Sequence, residues 1–117
     1  MIMHTILVSG GLGFIGSETV IALIEAGYEP IIVDDLYNAK KAVLDRIETL
    51  THVRPKFYEV DVTKKKETEA IFKENKIDAV IHFAGYKAVG ESVSKPIEYY
   101  QNNLGSALNV LDVMRKY

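Results

Sequence analysis

Ser9-Gly10-Gly11-Leu12-Gly13-Phe14-Ile15-Gly16 is the stretch that decides the fold. The short, apolar, β-branched run Thr5-Ile6-Leu7-Val8-Ser9 leads into it. A helical spacing of apolar residues at Val20, Ile21, Leu23 and Ile24 leads out, and Gly27 closes the helix expected over Ser17 to Ala26. A chain that turns so sharply from strand to helix favours residues with no Cβ penalty at positive φ. Its bare backbone lets a pyrophosphate approach the unpaired N–H groups and positive dipole end of the helix. The glycines fit Gly11-x-Gly13-x-x-Gly16 and Gly10-x-x-Gly13-x-x-Gly16 equally well. Gly16 is placed where a helix must pack closely on the first strand.

Further along, Ile31-Ile32-Val33 reads as a second strand, introduced by Pro30 and ended by Asp34-Asp35. A helix is expected from about Lys40 to Leu50, with Val43, Leu44, Ile47 and Leu50 on one side. Lys56 to Val62 reads as the third strand, and Thr63 as the cap of a helix reaching Asn75. Ile77 to Ala84 is the fourth strand. A last helix is entered at Ser94-Lys95-Pro96, where proline suits the first turn, and runs towards Tyr117. Strands one, two and four are nearly continuous apolar runs, as parallel strands covered on both faces are. Right-handed crossovers then predict an α/β, Rossmann-type doubly wound parallel sheet of order 3-2-1-4, with no fifth strand. Residues 1–117 read as one domain without a linker or repeat.

Composition is that of a globular chain: 48 % hydrophobic and 26 % charged among 117 residues. No apolar run reaches the roughly 18 residues of a membrane helix. The N-terminus lacks the basic lead of a secretory signal. Cysteine is absent, which excludes a disulfide framework and accords with a cytoplasmic location. A net charge of −2 gives no footprint for nucleic acid. His4, His52 and His82 show no metal-ligand spacing, so no metal is expected. His82 reads as a packed, hydrogen-bonded strand residue, and Lys64-Lys65-Lys66 as a solvated face.

A glycine pattern alone marks no more than a tight turn. Here a strand precedes it, a helix follows it, and Asp34 lies 18 residues after Gly16, near the spacing of about 20 expected of a ribose-binding acid. A carboxylate accepts hydrogen bonds from ribose hydroxyls and repels a 2′-phosphate, and Asp35 adds to that repulsion. The cofactor expected is therefore NAD rather than NADP, with Lys40 and Lys41 acting weakly in the other direction.

Gly10-x-x-Gly13-Phe14-Ile15-Gly16, Asp34-Asp35-Leu36-Tyr37-Asn38 and above all Ile81 to Val93, followed by Lys95 to Asn103, resemble the UDP-glucose 4-epimerases of the extended short-chain dehydrogenase/reductase superfamily. The resemblance covers essentially the whole chain. It implies that Gly10, Gly13 and Gly16 form the pyrophosphate turn, with the backbone N–H groups of Phe14 and Ile15 against the phosphates. Asp34, with Asp35 and Asn38 nearby, would hold the adenosine ribose, and Asp61 and Val62 would flank the adenine. Phe83, Ala84 and Gly85 would line the cofactor, Lys87 would reach the nicotinamide ribose, and Asn102 would orient the inner end. Ser9, Asp35 and Tyr86 depart from the threonine, asparagine and leucine common there. Glu91-Ser92 reads equally as a substrate contact or a turn cap.

The resemblance also implies a reaction in which a tyrosine takes the sugar 4-hydroxyl proton while hydride passes to NAD and then returns to the other face. The tyrosine belongs to a Tyr-x-x-x-Lys pair after a fifth strand. Tyr37-Asn38-Ala39-Lys40-Lys41 has that spacing but follows the second strand, at the adenosine end, so no catalytic residue is assigned. The chain is expected to be the N-terminal NAD-binding portion of a longer enzyme. It would be inactive alone, and a homodimer acting on UDP-glucose and UDP-galactose when full length. A stand-alone nucleotide-binding module or pseudoenzyme, or the front of a nucleotide-sugar dehydratase, are the alternatives. Strand four, apolar and at a sheet edge, is expected to make the isolated chain pair or aggregate.

Overall fold

The computed structural model describes residues 3–36, 39–84 and 93–117. Its elements run β1 (Thr5–Ser9), α1 (Phe14–Glu25), β2 (Glu29–Asp34), α2 (Ala42–Thr51), β3 (Lys56–Glu59), α3 (Lys65–Glu74), β4 (Ala79–His82) and α4 (Pro96–Lys116). The strands pair in parallel in the order β3-β2-β1-β4 expected of a Rossmann-type sheet. Alternate residues of the two central strands feed opposite layers. Leu7, Ile31 and Val33 pack with Val62, Ile71, Phe72, Val110 and Val113, beneath α3 and α4. Ile6, Val8 and Ile32 pack with Leu12, Val20, Leu44 and Ile47, beneath α1 and α2. Both faces are thus covered, which explains why these strands carry no polar alternation.

Boundaries moved where pairing and backbone geometry decide them. β3 stops at Glu59 rather than Val62, because its partner β2 ends at Asp34, the residue opposite Glu59. Pro30 lies within β2, against Ile6, but β3 begins one residue later, opposite Ile31. Its missing N–H therefore interrupts no β2–β3 bond. Thr63 does not cap α3: the N-cap is Lys64, and the Thr63 hydroxyl donates to the Asp61 carboxylate at 2.7 Å. α1 begins at Phe14, three residues before the apolar spacing announces it. Among the described residues β4 pairs only with β1, so it is an edge. Among them, too, no helix is long and apolar enough to cross a membrane.

α2 ends on His52, which has φ 62° and donates its N–H to the Glu48 carbonyl at 2.8 Å. This left-handed helix end is the position at which glycine is favoured. His52→Gly should raise stability by about 0.5–1 kcal/mol. Urea denaturation checks it, and an unchanged or lower midpoint would contradict the strain.

Candidate functional site

Parallel strands bring their C-terminal ends to one edge of the sheet, and the segments that follow them meet there. The first is the glycine turn. Gly10 has φ +70°, and its N–H donates to the Val33 carbonyl at 2.7 Å, tying the turn to β2. A Cβ on Gly10 would stand 2.8 Å from the Ala84 nitrogen and 2.9 Å from the Phe83 carbonyl carbon. A Cβ on Gly16 would stand 2.1 Å from the Gly10 carbonyl oxygen. The Gly10-x-x-Gly13-x-x-Gly16 reading is therefore the one whose first glycine makes the left-handed turn. Gly16 lets α1 press onto that turn rather than onto β1 itself.

The first helical bond of α1 runs from Ser17 N–H to the Gly13 carbonyl at 2.8 Å, and no side chain caps the helix. The N–H groups of Phe14, Ile15 and Gly16 thus lie ahead of the helical ladder. Phe14 and Ile15 have relative exposures of 84 % and 60 %, so their side chains stand outside the core while their backbone forms the first turn.

Asp34 ends β2 with only 7 % of its surface exposed. One carboxylate oxygen accepts the Leu12 N–H at 3.1 Å, and the other accepts the Leu36 N–H at 2.8 Å. Leu36 is held at φ 63°. The acid predicted from spacing is thus fastened to the glycine turn as well as to its own loop. Asp35 is exposed beside it.

After β3, one Asp61 carboxylate oxygen accepts both the Thr63 N–H, at 2.9 Å, and the Thr63 hydroxyl. Val62 is buried. Sequence reasoning missed Asn109 of α4, whose side-chain amide donates to the carbonyls of Val62 at 3.2 Å and Thr63 at 2.6 Å. The available signal was its spacing with Ser106, Val110 and Val113, an inward helical face interrupted by polar groups.

After β4, the Phe83 N–H donates to the Ser9 carbonyl at 2.9 Å, and the Ala84 N–H to the Ser9 hydroxyl at 3.3 Å. Asn102 is half-buried on α4, one turn before the buried Ser106 and on the same helical side. The structure therefore gathers Gly10, Gly13, Phe14, Ile15, Gly16, Asp34, Phe83 and Ala84 about one turn, with Asp61 and Val62 following the neighbouring strand end. Asn38, Gly85, Lys87, Tyr37 and Glu91-Ser92 lie outside the described residues. Among the described residues no three His, Cys, Asp or Glu side chains converge as a metal site.

A model of the NAD dependent epimerase/dehydratase family matches residues 6–117. The chain is 52 % identical over 110 residues to a UDP-glucose 4-epimerase of Yersinia pestis, covering 94 % of this chain and 32 % of that protein. A crystal structure of UDP-glucose 4-epimerase from Bifidobacterium longum, in complex with NAD+ and UDP, superposes with a TM-score of 0.93 at 53 % identity. The match covers 96 % of this chain and 33 % of that one. The enzyme from Stenotrophomonas maltophila, with bound NAD and formylated UDP-arabinopyranose, also superposes at 0.93, with 37 % identity and the same coverage. The chain spans about a third of the length of the relatives it matches.

The same substitution at two glycines should have opposite signs. Gly16→Ala drives a Cβ into a backbone carbonyl and should destabilise by at least the ~1–3 kcal/mol of an overpacked core. Gly105→Ala, in mid-α4 where a Cβ meets nothing within 4 Å, should stabilise by about 0.5–1 kcal/mol. Thermal unfolding of both variants checks this, and equal shifts would refute the packing argument at Gly16.

Proposed function

The chain belongs to the NAD dependent epimerase/dehydratase family, and from that premise we propose that it is the NAD-holding part of a UDP-glucose/UDP-galactose 4-epimerase. The observation that carries the reading is the glycine turn with its acid: Gly10 and Gly16 leave no room for a side chain, the α1 N-terminus is uncapped, and Asp34 is fixed beside it. These residues suit a dinucleotide. Uncapped N–H groups at a helix start bind phosphate oxygens, and a fixed carboxylate accepts ribose hydroxyls. A carboxylate oxygen accepts more than one hydrogen bond, so bracing the turn and holding a ribose are compatible duties.

Phe14 and Ile15 would offer backbone N–H groups to the pyrophosphate, and Asp34 and Asn38 would hold the adenosine ribose. Asp61 and Val62 would border the adenine. Phe83, Ala84, Gly85, Lys87 and Asn102 would border the nicotinamide end. NAD bound there supplies a reversible hydride acceptor. The chain's own residues bind and orient it, and the proton-transfer pair belongs to a Tyr-x-x-x-Lys element outside these assignments. UDP-glucose and UDP-galactose as substrates, a cytoplasmic location and a homodimer go with the same reading. In favour of the dimer, Ile97, Leu104, Leu108 and Leu111 form an exposed apolar stripe at helical spacing along α4.

Calorimetry with NAD and NADP tests the site: NAD should bind more tightly, and a preference for NADP would refute the role of Asp34. Asp34→Ala should weaken NAD by roughly 1–3 kcal/mol, the loss of hydrogen bonds to a charged group. The 117-residue chain alone should bind NAD without converting UDP-galactose. Joined to a Tyr-x-x-x-Lys element, it should yield UDP-glucose with no net change in NAD. A dehydrated keto-sugar would assign it to the dehydratases instead.

A further inference from the structure

We propose that His82 is a positioning residue for the cofactor site, joining three of its walls through one directed chain of hydrogen bonds; the proposal rests on the reading of that site as the NAD site. Ser9 and His82 are register partners at the last paired position of β1 and β4. The Ser9 hydroxyl oxygen lies 2.6 Å from His82 Nδ1 and also accepts the Ala84 N–H. On the other side of the ring, Nε2 lies 3.5 Å from the Ser106 hydroxyl, which itself donates to the Asn103 carbonyl at 3.1 Å. Ser9 and Ser106 are both fully buried.

Proton counting gives the chain a direction. Each hydroxyl has one proton to donate. The Ser106 proton goes to Asn103, so its oxygen accepts from Nε2–H. The Ser9 proton finds its acceptor in Nδ1. Both conditions are met together by the tautomer with its proton on Nε2, in which the Ser9 hydroxyl donates to Nδ1. The sequence of donors is then Ala84 N–H, Ser9 O–H, His82 Nε2–H and Ser106 O–H, ending on a carbonyl. Hydrogen bonds aligned in one sense reinforce each other.

The chain touches the cofactor walls at three points. Ala84 belongs to the segment after β4. Ser9 immediately precedes Gly10, where a Cβ would meet the backbone of Phe83 and Ala84. Asn103 adjoins Asn102 on α4. None of the linking side chains is among the residues assigned to the cofactor, so their part is to set distances between segments.

His82→Phe keeps a ring of similar size and removes both ring nitrogens, and Ser106→Ala removes the far link. Calorimetry should give a rise in the NAD Kd of about tenfold for His82→Phe, the scale of one supporting hydrogen bond lost. Ser106→Ala should give a smaller rise that disappears in the His82→Phe background, since coupled residues are not additive. Nitrogen-15 NMR of the imidazole should report the Nε2–H tautomer. Unchanged NAD affinity in both variants, with only a lower Tm, would overturn the positioning role while leaving the NAD reading intact. Additive effects, or the Nδ1–H tautomer, would also overturn it. Absence of NAD binding in the unaltered chain would sink both. Should His82→Phe fail to fold, Ser106→Ala and the tautomer spectrum decide the question.

Discussion

The carbonyl oxygen of Gly10 stands 2.1 Å from where a side chain on residue 16 would begin, and the candidate site is arranged around that contact. One side of the turn is pressed by α1, the other by the backbone of Phe83 and Ala84. The turn is therefore clamped between the element that follows β1 and the segment that follows β4. Such a clamp explains why the start of α1 needs no side-chain cap. Its position is set by packing of bare backbone, and its first N–H groups remain available to whatever approaches the sheet edge.

Asp34 adds a charge to this arrangement and is itself constrained by it. Burying a carboxylate is costly unless hydrogen bonds compensate, and here two backbone N–H groups from different loops do so. An asparagine has one acceptor oxygen and could not serve Leu12 and Leu36 on separate oxygens. The fold therefore has its own reason for an acid at this position, apart from any ribose. That is why cofactor choice, NAD against NADP, is a cleaner measure of its binding role than the loss seen on truncating it: selectivity cancels the structural term common to both ligands.

The order and faces of the elements were legible in the sequence because they depend on local pattern. Ile6 to Val8 and Ile31 to Val33 are apolar at every position, and only burial on both faces accommodates that. What could not be read were features settled by distant partners. β3 ends where β2 ends. Thr63 has the chemistry of a cap, but Asp61 competes for its hydroxyl. The spacing of Asp34 marked it as an acid near the glycine turn, yet its bond to Leu12 joins residues 22 apart and needs the folded sheet. His82 was legible as a hydrogen-bonded strand residue; its partners Ser9 and Ser106 lie 73 and 24 residues away.

α4 shows how a remote element enters the site. β3 and β4 are the outer strands, separated by two others, and neither pairs with the other. Yet the segment after β3 is held by Asn109 and the end of β4 by Ser106, three residues apart on one helix. A helix rises about 1.5 Å per residue, so these anchors are roughly 4.5 Å apart along a stiff rod. Two strand ends that could drift independently with the twist of the sheet are thus referred to a single rigid body. The same rod carries Asn102 one turn earlier. A shift of α4 by a fraction of a turn would move all three together, so the geometry of the site depends on the seating of a helix assigned only one direct contact within it.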